Sequence, residues 1–278
     1  MKAHTFDKLS LKGKVAIVTG STQGLGEAIA QLFADRGAAG LVICGRSIAK
    51  GYTVQKALEA RGTKTIFVEA DLSKVEDSQA VVAAADRAFG RVDILVNSAG
   101  ITDRGTILDT SPELFDTMFA VNVRAPFFLM QESIKVMQRV GEGGSIINII
   151  SMSGHGGQSF ITAYCASKGA LVTLTKNVAF SVMRHRIRVN GLCIGWMDTP
   201  GEDRIMKTYH GAEDGWLKQA EAGLPMGRLL KPDEVSRATA YLASEESGMM
   251  TGSIIDFDQS VIGCYDAAPQ PAPLKERL

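Results

Sequence analysis

The sequence predicts an α/β fold in which seven parallel strands form one doubly wound sheet with helices on both faces. Three observations lead to this prediction. Short apolar segments alternate with segments of helical spacing along most of the 278 residues. The apolar segments are continuous rather than alternating, which is typical of strands covered on both faces of a parallel sheet. A glycine-rich turn joins the first of them to a helical segment, as in folds that bind ligands where strands end.

Apolar segments of strand length are the predicted strands. They are Val15–Thr19, Gly40–Cys44, Thr65–Val68, Ile94–Asn97, Ser145–Ile150, Arg188–Cys193 and Ser253–Phe257. Apolar residues at helical spacing mark the segments between them. The predicted helices are Glu27–Arg36, Gly51–Arg61, the alanine-rich Ser78–Phe89, Leu114–Val140 as one long or broken helical region, and Tyr164–Met183. Right-handed connections between successive parallel strands then produce the doubly wound arrangement.

Residues 1–266 are predicted to form a single domain. The segment Thr199–Gly227 interrupts the alternation of strands and helices, and it is rich in glycine, charged and aromatic residues. We therefore expect a small helical insertion or lid there. Residues 267–278 contain three prolines. They are expected to form a C-terminal tail that packs loosely or reaches a neighbouring subunit.

Composition and charge exclude several classes of protein. Hydrophobic residues make up 45% of the chain and charged residues 22%, which is typical of a globular protein and excludes a fibrous or disordered one. Thirty basic and thirty acidic residues balance, so nothing favours a nucleic-acid partner. No segment has the length and apolarity of a membrane span or signal peptide. The four cysteines have no C-x-x-C spacing, so we expect a cytoplasmic protein without a metal site.

The glycine-rich turn TGSTQGLG is the first candidate site. It leads from the first predicted strand into the first helix. Backbone N–H groups in such a turn approach a pyrophosphate without Cβ obstruction, and the helix N-terminus favours negative charge. Glycines alone would fit an ordinary connection, and it is the position between strand and helix that favours a cofactor site. The predicted contacts are Gly20, Ser21, Thr22, Gln23, Gly24, Leu25 and Gly26.

The end of the second predicted strand indicates which dinucleotide is bound. About 20 residues after the turn, an NAD-binding protein places a carboxylate on the ribose 2′-hydroxyl. This chain has Arg46 and Ser47 there and no acid. A planar guanidinium suits a 2′-phosphate, so NADP(H) is favoured. NAD(H) is the alternative, with Arg46 stacked on adenine or facing solvent.

Tyr164 and Lys168 form a Y-x-x-x-K pair on one face of a predicted helix. The ordinary phenol pKa of about 10 is too high for an efficient base at neutral pH, and a nearby lysine and a nicotinamide cation both lower it. In isolation this would be an ordinary helical pair. Ser151, however, directly follows a predicted strand, which delivers its hydroxyl to the sheet edge where ligands bind in such folds.

Together these motifs resemble those of the short-chain dehydrogenase/reductase family, which has a Rossmann-like fold. The T-G-x-x-x-G-x-G turn, Ser151, the Y-x-x-x-K pair and Asn122 in V-N-V carry the resemblance, over most of residues 14–260. The resemblance implies a catalytic tetrad. Tyr164 exchanges a proton with the substrate oxygen, which Ser151 orients. Lys168 bonds the nicotinamide ribose and lowers the Tyr164 pKa, and Asn122 anchors a water chain.

The resemblance also implies further cofactor contacts. These are Asp71, Leu72, Asn97, Ser98, Ala99, Gly100, Tyr164, Lys168, Gly195, Met197 and Thr199. Asp71 has the alternative role of a helix N-cap. The chain departs from the family pattern in three of these segments. Gln23 stands where many NADP-using members have a second basic residue, Ser98 replaces an asparagine, and Ile194 replaces a proline.

The predicted activity is hydride transfer between a nicotinamide cofactor and a secondary alcohol or ketone. Candidate substrate residues are Ser151, Ser153, His155, Tyr164 and Trp196, with Glu202, Asp203, Arg204, His210 and Trp216 as further candidates in the lid. Such a polar mouth favours a small-molecule polyol, sugar or related carbonyl compound. The alternatives are a reductase of 3-oxoacyl thioesters on a carrier protein and a non-catalytic cofactor sensor. The family resemblance implies a homotetramer or homodimer with no membrane partner.

Overall fold

Seven parallel strands form one sheet in the computed structural model, which describes residues 9–264. The strands are β1 (Val15–Val18), β2 (Gly40–Gly45), β3 (Lys64–Glu69), β4 (Ile94–Asn97), β5 (Gly144–Ile149), β6 (Ile187–Ile194) and β7 (Ile254–Phe257). Their order across the sheet is β3-β2-β1-β4-β5-β6-β7. The chain reverses its direction of travel across the sheet between β1 and β4, which opens a crevice at the carboxyl ends of these strands.

The predicted doubly wound, seven-stranded parallel sheet is confirmed. Each observed strand bound lies within one residue of the predicted bound. The agreement has a physical cause, because the central strands are buried on both faces and the apolar segment and the strand therefore coincide. All four residues of β1 are buried, as are all four of β4.

Helices cover both faces of the sheet. They are α1 (Gly24–Asp35), α2 (Ile48–Glu59), α3 (Val75–Phe89), α4 (Pro112–Phe119), α5 (Ala125–Val140), α6 (Thr162–Val182), α7 (Pro200–His210), α8 (Trp216–Ala222) and α9 (Pro232–Ala243). The first three begin three residues before their predicted starts, because apolar spacing does not extend into the first turn. Helix α9 was not predicted, although Pro232 and Glu234 give its first turn a helix-start signal.

The predicted helical region Leu114–Val140 is broken in the structure. A π-helical turn over Ala120–Arg124 separates α4 from α5, and Asn122 in this turn is fully buried. Single π-turns inside helices are rare and frequently lie at functional sites. Here the turn directs the Asn122 side chain toward the segment that follows β4.

The hydrophobic core has two layers, one on each side of the sheet. One layer joins the sheet to α1, α2 and α9, and the other joins it to α3, α5 and α6. Alternate residues of β1 supply both layers, with Val18 in the first and Ile17 in the second. The rigid centre thus holds the carboxyl ends of the strands in fixed positions.

The segment Thr199–Gly227, predicted to be a helical insertion, contains α7 and α8. We call residues 199–227 the lid segment. The predicted tail, residues 267–278, lies outside the described residues. Within residues 9–264, no helix combines the length and the apolar character needed to cross a membrane.

Candidate active site

A cleft with a volume of about 430 Å³ follows the carboxyl edge of the sheet. Its walls come from the glycine turn, the ends of β2 to β6 and the start of the lid segment. The cleft therefore occupies the crevice where ligands bind in doubly wound sheets. It extends from Arg46 at one end to Tyr164 and Thr199 at the other.

The glycine turn packs against the segment after β4 by close backbone contact. Gly20 and Gly24 have φ values of +64° and +60°, which favour glycine. A Cβ on Gly20 would lie 2.8 Å from the Ala99 Cα, and one on Gly26 would lie 2.5 Å from the Gly20 carbonyl oxygen. The N-cap residue Gln23 makes no side-chain cap, so the Gln23 side chain satisfies none of the N–H groups of the first turn of α1, whose residues Gly24, Leu25 and Gly26 line the cleft.

Most of the residues predicted to bind the cofactor line this cleft. They are Gly20, Thr22, Gln23, Gly24, Leu25, Gly26, Arg46, Asp71, Leu72, Ser98, Ala99, Gly100, Tyr164, Lys168, Met197 and Thr199. The structure also brings in wall residues that no motif indicated, including Thr102, Thr117 and Gly201. Thr102 lies two residues after Gly100, and Gly201 lies two residues after Thr199. Extending each predicted cofactor segment by two residues would therefore have found them.

Four other residues with a predicted cofactor role are not among those that line the cleft. The Ser21 hydroxyl donates to the Val18 carbonyl at 2.6 Å and accepts from the Cys44 N–H at 3.1 Å. Ser47 caps α2, and Asn97 donates to the Asn148 side chain at 2.8 Å. These contacts shape the wall. At Gly195, any Cβ would collide with the Asp258 side chain, so only glycine fits there.

The end of the cleft near β2 has two cations without a carboxylate partner in the described part of the chain: Arg46, which lines the cleft, and Lys50, which contacts the lining residue Gln23. Among residues 9–264, the exposed Arg46 guanidinium makes no hydrogen bond or ion pair, although its charge acts on Asp71. The Lys50 ammonium donates to the Gln23 amide oxygen at 2.6 Å. Sequence reasoning missed Lys50, which lies one helical turn after Arg46.

Asp71 does not have the alternative role of a helix N-cap. The N-cap of α3 is Lys74, and the Asp71 carboxylate instead accepts a hydrogen bond from the Ser73 N–H at 3.0 Å. Hydrogen bonds from Ser73, with a smaller contribution from the Arg46 charge, hold the pKa of Asp71 below its ordinary value. Asp71 is therefore a fixed anion at the cleft wall.

Tyr164, Lys168 and Ser151 meet at the other end of the cleft. Burial raises the pKa of Tyr164 to about 12, and a hydrogen bond with Ser151 partly offsets this rise. Lys168 is buried, and this burial lowers its pKa to about 8. Its ammonium lies 5.7 Å from the Tyr164 ring centroid and donates to the Ile149 carbonyl at 2.9 Å.

Asn122 holds two neighbouring segments together at this site. Its amide oxygen accepts from the Ile101 N–H at 2.9 Å, and its amide nitrogen donates to the Ile101 carbonyl at 3.0 Å and to the Ser167 hydroxyl at 3.1 Å. These contacts join the segment after β4 to α6, one residue before Lys168. The water chain expected from Asn122 stays a prediction.

The structure places two predicted substrate residues away from the cleft. The Ser153 hydroxyl is buried and donates to the Gln158 amide oxygen. The His155 imidazole lies 2.8 Å from the Asp256 carboxylate of β7. Neither residue is among those that line the cleft. Ser151 and Trp196 are likewise absent from that lining, so the substrate role of all four residues stays a prediction.

Trp196 lies at the junction with the lid segment. Its indole N–H donates to Glu202 at 2.9 Å, and its ring stacks on Trp216 with centroids 5.9 Å apart. Trp216 in turn donates to Asp203 at 2.9 Å. These contacts fix α7 and α8 relative to the end of β6.

Arg104 is a functional candidate that the sequence did not reveal. It lies in the segment after β4, and its guanidinium approaches Glu202 of the lid segment at 3.5 Å. It also donates to His210 at 3.1 Å and to the Thr102 carbonyl at 2.9 Å. Arg104 lowers the pKa of Tyr164 and Glu202 raises it, so both charges act on the reacting hydroxyl. No local motif marks Arg104. Its partners Glu202 and His210 lie about 100 residues later in the chain, so its role becomes visible only in the folded structure.

Comparisons with known proteins fit this geometry. The family model that matches, over residues 20–260, is described as enoyl-(acyl carrier protein) reductase. Galactitol 2-dehydrogenase from Agrobacterium fabrum is 34% identical over 256 residues, which span 90% of this chain and 98% of that protein. An NADP-dependent (R)-specific alcohol dehydrogenase from Lentilactobacillus kefiri is 37% identical over 246 residues, which span 87% and 94% of the two chains.

A solved structure gives the same result. The crystal structure of L-sorbose reductase from Gluconobacter frateurii, complexed with NADPH and L-sorbose, matches with a TM-score of 0.85 at 29% identity. The match covers 93% of this chain and 100% of the other. The likeness thus extends through the sheet, the cleft and the lid segment.

Proposed function

This chain belongs to the short-chain dehydrogenase/reductase family, and we propose that it transfers a hydride between NADP(H) and the secondary alcohol or ketone of a neutral, hydroxylated compound such as a polyol or sugar. Its relatives are dehydrogenases and reductases, and the chain is an oxidoreductase. The observation that carries the proposal is that Tyr164 and Lys168 line a cleft that also presents Arg46, with Ser151 hydrogen-bonded to Tyr164.

The proposed mechanism assigns one task to each side chain. When bound, the nicotinamide gives or takes the hydride. Tyr164 donates its hydroxyl proton to the carbonyl oxygen during reduction and takes it back during oxidation. Ser151 accepts a hydrogen bond from the Ser153 N–H at 3.1 Å, and its hydroxyl bonds Tyr164. When substrate binds, we expect this hydroxyl to hold the substrate oxygen beside Tyr164. The buried Lys168 places its ammonium beside the phenol and stabilises the phenolate.

The pKa values indicate how pH affects the two directions. Burial keeps Tyr164 protonated at neutral pH, which suits proton donation to a ketone. Oxidation of an alcohol needs the phenolate, so its rate rises with pH. A positive nicotinamide and a protonated Lys168 both lower the barrier to phenolate formation.

The preference for NADP(H) is supported by charge at the adenosine end. The Arg46 guanidinium and the Lys50 ammonium, which is held by Gln23, suit a 2′-phosphate. We expect Arg46→Ala to lower kcat/KM for NADPH by about 10- to 100-fold and to change kcat/KM for NADH little, since a hydrogen bond to a charged group contributes about 1.5–3 kcal/mol. Lys50→Ala, which removes a cation that does not line the cleft, should have a smaller effect. Equal losses with both cofactors would refute the preference.

A neutral substrate is supported by the paired charges at the substrate end. Arg104 and Glu202 are each mostly buried, with 15% and 17% of their side chains exposed, and they neutralise each other. A substrate carboxylate would therefore meet Glu202 as well as Arg104. Hydroxyl groups, in contrast, can donate to Glu202 and accept from Arg104. The relatives whose names mention galactitol and L-sorbose agree with this class.

Reduction of a 3-oxoacyl thioester on a carrier protein is the second candidate. The matching family model is described as an enoyl-(acyl carrier protein) reductase, which also takes a substrate on a carrier protein. An acidic carrier protein would need unpaired basic residues near the cleft. Around the lid segment, however, Lys207 is paired with Asp203 and Asp214, and Lys231 with Asp198. Arg204 and Lys218 of the lid segment, in contrast, make no ion pair within residues 9–264, so the thioester is tested directly in the assay below.

The experiment that tests the proposal follows the absorbance of reduced nicotinamide. The purified protein is tested against polyols, ketoses, simple ketones and a 3-oxoacyl thioester, with NADPH and NADH in parallel. We expect the highest kcat/KM with NADPH and a ketose. Preference for the thioester would replace the proposal by the second candidate, and cofactor binding without turnover of any compound would favour a sensor.

The expected homotetramer or homodimer and the cytoplasmic location stay predictions. Large apolar side chains on α5, on α6 and just after α6, including Phe127, Phe180 and Met183, are exposed and offer a surface for a second copy. Light scattering after size-exclusion chromatography measures the number of chains directly. A monomer at micromolar concentration would contradict the predicted assembly.

A further inference from the structure

Three side chains of metal-binding type meet at the carboxyl ends of β6 and β7, outside the cleft. Cys193 lies on β6, directly opposite Asp256 on β7, and His155 lies in the turn after Ser151. One ligand atom from each lies within 4.8 Å of the other two. The His155 Nε2 and the Asp256 Oδ1 are 2.8 Å apart. We call these three residues the Cys–His–Asp cluster.

We propose that the Cys–His–Asp cluster binds Zn²⁺ through the Cys193 sulfur, a ring nitrogen of His155 and the Asp256 carboxylate. These are the ligand types that zinc prefers, and three protein ligands with an open fourth position are an established zinc arrangement. With zinc–ligand distances of about 2.0–2.3 Å, ligand atoms in a tetrahedron lie about 3–4 Å apart. The observed spacing therefore requires only small side-chain movements.

Burial and charge fit a zinc ion at this place. Cys193 is fully buried and forms the floor, whereas 31% of the His155 side chain and 40% of the Asp256 side chain are exposed and give access from solvent. A thiolate and a carboxylate together neutralise the two charges of the ion, so the complex carries no net charge into its half-buried site. The thiol proton passes to solvent when the metal binds.

The position also suggests what the metal does. His155 belongs to the short 3-10 helix that Ser151 caps, whereas Cys193 and Asp256 belong to the rigid sheet. A metal bridging them would fix the turn that follows Ser151. Lys168 is the nearby cation on α6, and it opposes metal binding, but the two ligand anions outweigh its single charge. The cluster neighbours the proposed hydride site through Lys168, but metal binding does not depend on hydride transfer by the protein.

The sequence led us to expect no metal site, since its cysteines lack a motif spacing. The three residues are far apart in the chain and become neighbours only through the parallel register of β6 and β7 and the turn after β5. The site is therefore an inference from the fold rather than from a motif.

A cobalt titration of the full-length protein tests the proposal. After treatment with a chelator, the protein is titrated with Co²⁺, whose thiolate complexes absorb in the near ultraviolet and whose tetrahedral complexes absorb in the visible range. We expect one Co²⁺ per chain, a thiolate band, and displacement by an equivalent of Zn²⁺. A titration without the thiolate band would overturn the proposal.

Variants assign the ligands. Cys193→Ser should abolish the thiolate band, and His155→Ala and Asp256→Asn should each weaken binding by about 10- to 100-fold or more, since loss of outer-shell groups alone costs that much. Cys165→Ser is the matched control, because Cys165 is a partly exposed cysteine outside the cluster. An unchanged band in Cys193→Ser, or equal loss in Cys165→Ser, would refute the assignment. The two exposed-ligand variants keep the test decisive if Cys193→Ser does not fold.

Discussion

The two ends of the cleft are held together by different kinds of contact. At the glycine turn, backbone packs on backbone, and Cβ atoms on Gly20 or Gly26 would lie within 2.8 Å of main-chain atoms. At the lid segment, side chains make the contacts, with Arg104 and Trp196 both reaching Glu202. A site built from closely packed backbone tolerates few substitutions, and it suits the nicotinamide cofactor that members of the family share. A side-chain network can vary without disturbing the fold, and the proposed function therefore assigns substrate choice to the lid segment.

The largest expected effect concerns the Tyr164 hydroxyl, to which the proposed mechanism assigns the proton transfer. Tyr164→Phe removes the proton donor and should lower kcat by about 10²- to 10⁴-fold, the usual contribution of general acid–base catalysis. Cofactor affinity, measured by fluorescence titration, should change little because the turn is untouched. A variant that retains wild-type kcat would show that another group moves the proton.

Glycine substitutions compare the two ends of the cleft directly. Gly20→Ala introduces a Cβ at a positive φ and 2.8 Å from the Ala99 Cα, so it should destabilise the fold by about 1–3 kcal/mol and weaken cofactor binding. Gly223 in the lid segment has a φ of −90°, and its Cβ would lie 3.7 Å from the Ala220 carbonyl oxygen. Gly223→Ala should therefore be neutral or slightly stabilising. Denaturant unfolding of both variants measures the difference, and equal losses would contradict the distinction.

Burial of Lys168 predicts a pH dependence of stability. Its pKa falls to about 8 in the folded protein, against about 10.4 in the unfolded chain. Between these values the unfolded chain binds more protons, so this group makes the protein more stable as pH rises from about 8 to 10. Lys168→Met should reduce that slope by up to about 1 kcal/mol per pH unit. Urea unfolding across this range tests it, and identical slopes in both proteins would refute the buried, destabilised ammonium.

The smallest expected effect is at the lid. Glu202→Gln leaves Arg104 without its carboxylate, so KM for a neutral ketose should rise by about three- to tenfold while a carboxylate-bearing ketone improves. Because the Glu202 charge raises the Tyr164 pKa, the pH profile of alcohol oxidation should also move to lower pH. Asp214→Asn is the control, since this lid carboxylate is almost fully exposed. An unchanged profile in Glu202→Gln would place the pair outside the reaction.

The sequence predicted those parts of the molecule that depend on contiguous residues. The strands were found because burial on both faces makes them continuous apolar segments, and the TGSTQGLG turn was found because close backbone contact requires its glycines. The side chains that depend on distant partners were not predictable. Arg104 gains its meaning only beside Glu202, and His155 was expected near the substrate but meets Asp256 instead.

Transfer of isotope from the cofactor to the product tests the central claim most directly. The protein is incubated with a ketose and NADPH that carries deuterium at the transferred position of the nicotinamide, and the product alcohol is examined by mass spectrometry. The proposed mechanism predicts one deuterium on the former carbonyl carbon, at a rate that Tyr164→Phe lowers by the factor given above. A product without deuterium, or equal transfer by the variant, would contradict hydride transfer assisted by Tyr164.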